Sequence, residues 1–156
     1  MRAWAAARLI LVGFCAGGAG PKDDPEAFVR GLYSRFEADP NFFVGLGDIS
    51  DEAVYSPSLL RVLSANRAFH AKHSDLGLNG DPICDCQEHE SMTTPQIVVH
   101  RTGRASAEAT AKFIIEDFYV RSITLKLVQT PIGWRVDDVS DSDLPSLRKW
   151  LSNDMK

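Results

Sequence analysis

The centre of the chain, residues 105–115, reads ASAEATAKFII. Apolar residues occupy the odd positions, and polar residues occupy the even positions as far as Lys112. Successive side chains of a β-strand point to opposite faces of a sheet. The alternation therefore predicts a strand with one apolar and one polar face, the apolar face being built from small residues at its beginning.

The same pattern continues on both sides of this strand. Residues 96–100 form a β-rich run before it, and residues 120–129 alternate again after it. The sequence Pro-Ile-Gly at 131–133 is typical of a hairpin turn, and residues 134–139 are predicted to return antiparallel to the preceding strand. The second half of the chain is therefore predicted to be a four-stranded antiparallel meander.

Helical periodicity dominates the part of the chain that precedes the strands. A helix over 26–37 is predicted to begin near Pro25 and to end at Asp39, because the residue before Pro40 is disfavoured in the α region. Its large apolar residues share one helical stripe; they are Phe28, Val29, Leu32, Tyr33 and Phe36.

A second helix is predicted from a cap at Ser56 and a first-turn Pro57 to about Lys72. Four of its residues follow one another at intervals of four, three and four: Leu59, Leu63, Asn66 and His70. A last helix is predicted over 144–151, capped by Ser142 or Asp143. Helices followed by adjacent strands predict an α+β fold, with the helices packed on one face of a curved four-stranded antiparallel sheet.

The first residues have the pattern of a secretory signal. Arg2 and Arg8 precede an apolar run at 9–14, and small residues follow it. We therefore expect residues 1–19 to be a signal peptide and residues 20–156 to form a single α+β domain in the periplasm or outside the cell. Cys15 leaves open a lipoprotein anchor, although Phe14 stands where such a signal needs a small residue.

The overall composition limits the classes of partner. The chain is 44% apolar and 24% charged, and loss of the signal would lower its formal net charge from −4 to −6. An acidic chain without a Lys/Arg cluster is not expected to bind nucleic acid or anionic membranes. We expect no transmembrane segment and no cofactor. We expect the partner to be an unidentified protein or a small ligand, and the sequence does not indicate the oligomeric state.

Between the two halves lies the densest chemical cluster of the sequence, residues 81–90, which reads DPICDCQEHE. Its cysteines, Cys84 and Cys86, can form a short disulfide that stiffens the loop in an oxidising compartment. A redox role is a second interpretation, but Asp85 and the neighbouring acids disfavour a thiolate. A third interpretation is a zinc site in which both cysteines and His89 are ligands and His70, His73 or a carboxylate is the fourth, although the spacing is unusual.

The acidic residues suggest two kinds of contact site. Asp85, Glu88 and Glu90 can offer an acidic loop to a cationic partner. Asp138, one of two adjacent carboxylates near the end of the last strand, could act in a pocket together with a tyrosine. Charges at strand ends are usually solvated, so we assign no catalytic residue and no metal ligand.

The sequence of residues 81–87 and the sequence WRVDDV at 134–139 resemble a family of exported bacterial domains of unknown function, numbered 3828. The resemblance implies a nuclear transport factor 2-like, or cystatin-like, α+β fold, and it implies no activity. We therefore expect a non-enzymatic binding or interaction module, in one version an inhibitor or immunity-type protein. The alternative is a small-molecule-binding or isomerase-like pocket protein of the same fold.

Overall fold

The computed structural model describes residues 24–39, 42, 44, 51–74, 77–78, 80–87 and 92–156. The predicted signal peptide and Cys15 lie outside the described residues. So do Glu88 and Glu90 of the acidic loop and His89 of the zinc interpretation.

Four strands form one antiparallel sheet in the order β1-β2-β3-β4. They are β1 (Gln96–Arg101), β2 (Ser106–Ile115), β3 (Tyr119–Thr130) and β4 (Gly133–Ser140). The alternation of the sequence sets the register, because the buried alanines of β2 lie opposite apolar residues of β3: Ala109 pairs with Leu125 and Ala111 with Ile123. The predicted meander is confirmed.

One face of the sheet is buried under helices. On β2 the buried residues start small and become large towards the end of the strand: Ala107, Ala109, Ala111, Phe113 and Ile115. The alanines leave room for bulky side chains from the helices, and the rings of Phe113 and Tyr33 lie 5.5 Å apart. This helix-facing side of the sheet is therefore filled with side chains.

Helix α1 (Pro25–Ala38) supplies the bulky side chains that pack on β1 and β2. Asp24 caps it, because its side chain accepts a hydrogen bond from the backbone N–H of Glu26. The stripe predicted from the sequence is buried except for Phe28, which is half-buried. Asp39 ends the helix with extended backbone, as expected for a residue before proline.

Helix α3 (Pro57–His73) begins at the predicted Ser56 cap, whose hydroxyl accepts from the N–H of Leu59. Its buried residues are the four at intervals of four, three and four: Leu59, Leu63, Asn66 and His70. A short helix that the sequence did not indicate, α2 (Asp51–Val54), precedes it. Tyr55 then bridges to Val136, so this segment lies along the outer edge of β4.

The last helix begins later than predicted. Helix α4 runs over Leu147–Asp154 with Ser146 as its cap. The expected cap at Ser142 or Asp143 is wrong, because the carboxylate of Asp141 accepts from the N–H groups of Asp143 and Leu144 and holds this segment in a turn. Helices and a four-stranded antiparallel sheet thus form the predicted α+β fold. Within the described part of the chain, every helix is too short or too polar to cross a membrane.

Candidate functional site

The candidate site is built on a tight turn, residues 81–86, that we call the cysteine turn. Its ends are joined as a small antiparallel bridge, in which the N–H of Asp81 donates to the carbonyl of Cys86 at 2.8 Å. Between them Cys84 and Cys86 form a disulfide, with Cα atoms 5.1 Å apart. Cys84 is fully buried and Cys86 is half-buried. The structure therefore has the disulfide that the first interpretation of the sequence predicted.

Buried hydrogen bonds fix the cysteine turn to the rest of the molecule. One carboxylate oxygen of Asp81 accepts from the N–H of Val44 at 2.6 Å, and the other accepts from the N–H of Ile83 at 2.8 Å. The hydroxyl of Tyr33, on α1, donates to the carbonyl of Ile83 at 2.8 Å. Burial, and to a smaller extent the charge of Asp81, raise the pKa of Tyr33. The hydroxyl therefore stays protonated and can donate this hydrogen bond.

Asp85 lies at the exposed tip of the cysteine turn. Its φ of 48° is in the left-handed region, which aspartate tolerates better than most residues. Arg121, on β3, donates through Nε to the Asp85 carbonyl at 3.2 Å and lies 3.1 Å from the Asp85 carboxylate. No lysine or arginine lies within residues 81–90 of the sequence. Sequence analysis therefore missed Arg121, which is distant along the chain.

Charge and burial act against each other at Asp85. Partial burial raises its pKa above the ordinary value, Arg121 opposes this shift, and Asp141 and Asp143 add to it. Among the residues that the structure describes, the carboxylate therefore has acidic neighbours and one close cation, Arg121. That arrangement favours the approach of a further cation over the approach of an anion.

Three surface depressions meet at Asp85. The largest, about 470 Å³, is lined by Asp85, Cys86, Gln87, Ile115, Glu116, Tyr119 and Arg121. A second, of about 380 Å³, extends from Asp85 along the start of β3 to Asp141 and Asp143. A third, of about 70 Å³, lies between the cysteine turn and Leu144. Asp85 thus contributes to the lining of all three depressions.

Asp138 is buried, contrary to the expectation that a carboxylate near a strand end is solvated. One oxygen accepts from the hydroxyl of Ser146 at 2.7 Å; the other accepts from the N–H groups of Val139 and Arg148, each at 3.0 Å. All three donors belong to the junction of β4 with α4. The carboxylate holds the start of that helix, and its contacts do not place it beside Asp85.

The two histidines of α3 do not converge. Nε2 of His70 lies 2.6 Å from the carboxylate of Asp154 on α4, whereas Nδ1 of His73 lies 2.8 Å from the Phe69 carbonyl. Within the described ranges, no group of three or more His, Cys, Asp or Glu side chains could hold a metal ion.

Sequence analysis also missed the residues at the β2–β3 turn. Phe118, Tyr119 and Val120 are among the exposed large hydrophobic residues of the described structure, at 66%, 46% and 70%. The signal that could have revealed them is a run of three apolar residues directly after the acidic pair Glu116 and Asp117, where a solvated hairpin turn is expected.

Comparison with known proteins gives a distant relative. An uncharacterized protein of Escherichia coli strain K12, YqhG, is 26% identical to this chain over 134 residues, which are 83% of this chain and 42% of that protein. The chain therefore spans less than half the length of this relative. No family model matches the chain, and no solved structure matches it.

Proposed function

We propose that this chain is a binding module whose contact surface is centred on the cysteine turn. The observation that carries the proposal is the fixed presentation of Asp85. A disulfide, a backbone bridge and buried hydrogen bonds hold the turn from inside, while the Asp85 side chain is 51% exposed where three depressions meet. Such preorganisation lowers the entropy lost on binding.

The proposal includes export. Disulfides persist in oxidising compartments, and the bond between Cys84 and Cys86 agrees with the signal pattern of residues 1–19. We further propose membership of the exported family numbered 3828, on the residues of the cysteine turn and of β4. The relative YqhG is uncharacterized, so it offers no activity that could be transferred to this chain.

The alternative, an isomerase-like pocket protein, has less support. Its candidate carboxylate, Asp138, already accepts from three protein donors at the start of α4. The helix-facing side of the sheet, where this interpretation placed a pocket, is occupied by large side chains such as Tyr33, Phe36 and Trp134.

The test is capture of a partner through the cysteine turn. The photo-crosslinking amino acid benzoylphenylalanine replaces Gln87 in the full chain. Gln87 is an exposed residue in the largest of the three depressions that Asp85 lines. The protein is then illuminated in the extract and in the culture medium of the producing cells. We expect one identified protein in the crosslink, lost on Asp85→Asn and kept on Glu108→Gln, a change on the opposite face of the sheet. Asparagine tolerates the left-handed backbone, so Asp85→Asn removes the charge without straining the turn. Equal crosslinking by both variants would refute the proposed contact surface.

A further inference from the structure

The β2–β3 hairpin ends in a tight turn with a charged centre. The N–H of Phe118 donates to the carbonyl of Ile115 at 3.3 Å, and the two residues between them, Glu116 and Asp117, have φ of 53° and 63°. Positive φ at both central positions is the type I′ geometry, which asparagine followed by glycine suits best. We call residues 116–120 the hairpin tip.

The hairpin tip is apolar on both faces of the sheet. Tyr119 pairs with Ile115, whose side chain lies on the helix-facing side, whereas Val120 pairs with Ile114 and points to the other side. The ring of Phe118 lies 4.2 Å from that of Tyr119. A flat partner surface could cover only one of these faces. A groove can cover both.

Among the described residues, the charges around the hairpin tip are mostly negative. Glu116 and Asp117 stand at its end, and Asp85 lies beside Arg121 on the helix-facing side. The guanidinium of Arg121 is already engaged, with its carbon 5.4 Å from the Tyr119 ring centre and its Nε bonded to Asp85. A partner that contacts this end of the sheet therefore meets exposed apolar side chains next to the carboxylates of the turn.

We propose that the apolar side chains of the hairpin tip, residues 118–120, lie in an apolar groove of a partner protein, and that Glu116 and Asp117 at the turn lie against lysine or arginine on the rim of that groove. This inference rests on the proposed binding function. It assigns the hairpin tip as the part of the molecule that anchors the partner, and it gives the chemistry of the partner's surface. Exposed aromatic and apolar side chains that become desolvated at the centre of an interface contribute most of its binding energy, and complementary charges at the rim set orientation and association rate.

Two other occupants fit the charges less well. An anionic lipid surface would meet Glu116 and Asp117 first and repel them. A second copy of this chain, tip to tip, would oppose the same two acids to themselves. A groove with basic residues on its rim satisfies both the apolar and the charged groups.

The experiment places benzoylphenylalanine at position 118 of the full chain and, as a control, at Ile132. Ile132 is 67% exposed in the turn at the opposite end of β3, roughly 36 Å away for a strand of this length. We expect crosslinking from position 118 and none from position 132. The crosslinked partner peptide, mapped by mass spectrometry, should line an apolar groove beside lysine or arginine.

The charge requirement is tested with Glu116→Asn/Asp117→Gly, which removes both acids and suits the turn better than the native pair, so that it cannot fail by misfolding of the hairpin. We expect crosslinking at 118 to fall about tenfold. The control Glu37→Gln/Glu108→Gln removes two charges outside the hairpin tip and should leave crosslinking from position 118 unchanged. Undiminished crosslinking in the first variant would overturn the proposal.

The outcomes separate this inference from the function on which it rests. Crosslinks from position 87 without crosslinks from 118 would keep the binding function and refute the hairpin anchor, whereas none from either position would refute both. Cosedimentation with vesicles of phosphatidylethanolamine and phosphatidylglycerol, or a crosslink from 118 to a second copy of this chain, would also overturn the protein groove.

Discussion

The hydroxyl of Tyr33 donates a buried hydrogen bond of 2.8 Å to the carbonyl of Ile83, a residue fifty positions further along the chain. Through it, a helix on one face of the sheet fixes the backbone of the cysteine turn. The carbonyl of Ile83 lies too deep for water to replace the hydroxyl, since Tyr33 and Ile83 are each at most 1% exposed. Orientation of the candidate site therefore depends on a residue that does not contact solvent.

Tyr33→Phe should lower the free energy of unfolding by about 1–3 kcal/mol, because it leaves a buried carbonyl without a donor. Urea denaturation followed by circular dichroism measures the change. Tyr119→Phe removes the same atom from a half-exposed ring at the edge of the site and should change stability by less than about 0.5 kcal/mol. Equal effects of the two substitutions would contradict the structural role of the Tyr33 hydroxyl.

The disulfide between Cys84 and Cys86 should be present in exported protein and should contribute little global stability. The ring it closes is short, so the chain-entropy estimate is about 1.5 kcal/mol, roughly half of that for a 15-residue loop. Peptide mapping after alkylation should find both positions unlabelled before reduction and labelled after it, and urea denaturation of both forms gives the difference. Two labelled thiols in unreduced exported protein would contradict the disulfide.

The fold was predictable because its elements depend on local patterns. The alternation of β2 and the intervals from Leu59 to His70 on α3 each mark a buried face, whichever elements finally cover it. The start of α4 was misplaced because the sequence offered Ser142 or Asp143 as its cap. The structure uses Ser146, whose hydroxyl donates to the buried carboxylate of Asp138 on β4, and the helical pattern of residues 144–151 does not contain that contact between two elements.

The candidate site was only partly predictable for the same reason. Adjacent sequence was enough to suggest the disulfide and the exposed Asp85. Arg121 reaches Asp85 from β3, 36 residues away, and Tyr33 reaches Ile83 from α1. Those contacts follow from how the sheet register and the helices bring distant segments together, which the spacing of residues along the chain does not show.

Asp138→Ala should destabilise the protein by about 2–3 kcal/mol, because it leaves the hydroxyl of Ser146 and two backbone N–H groups without their acceptor. Thermal and urea denaturation measure the loss. Asp143→Ala, at an exposed residue in the same connection, should change stability by less than about 0.5 kcal/mol. A stable Asp138→Ala protein would contradict a purely structural carboxylate and would strengthen the pocket alternative.

Gly77→Ala should cost more than about 1 kcal/mol, since Gly77 has a φ of +61° and an added Cβ would lie 2.7 Å from Cδ2 of His70. The backbone and the imidazole would both have to move. Gly31 is the matched control: it lies within α1, nothing stands within 4 Å of an added Cβ, and Gly31→Ala should stabilise the protein by about 0.5–1 kcal/mol. Comparable destabilisation by both substitutions would show that the contact with His70 does not matter.

Docking of α4 on α3 should weaken in acid. A hydrogen bond from Asn66, and to a smaller extent one from His70, lower the pKa of Asp154. The carboxylate is therefore ionised down to a lower pH in the folded state than in the unfolded chain. Its stabilising contribution is therefore complete above the unfolded pKa of about 3.9 and is lost as the pH falls below that value. Asp154→Asn should lower the free energy of unfolding at pH 6 but have a smaller effect at pH 3, as measured by urea denaturation at both values. An equal effect of the substitution at pH 6 and pH 3 would show that ionised Asp154 does not stabilise the contact between the two helices.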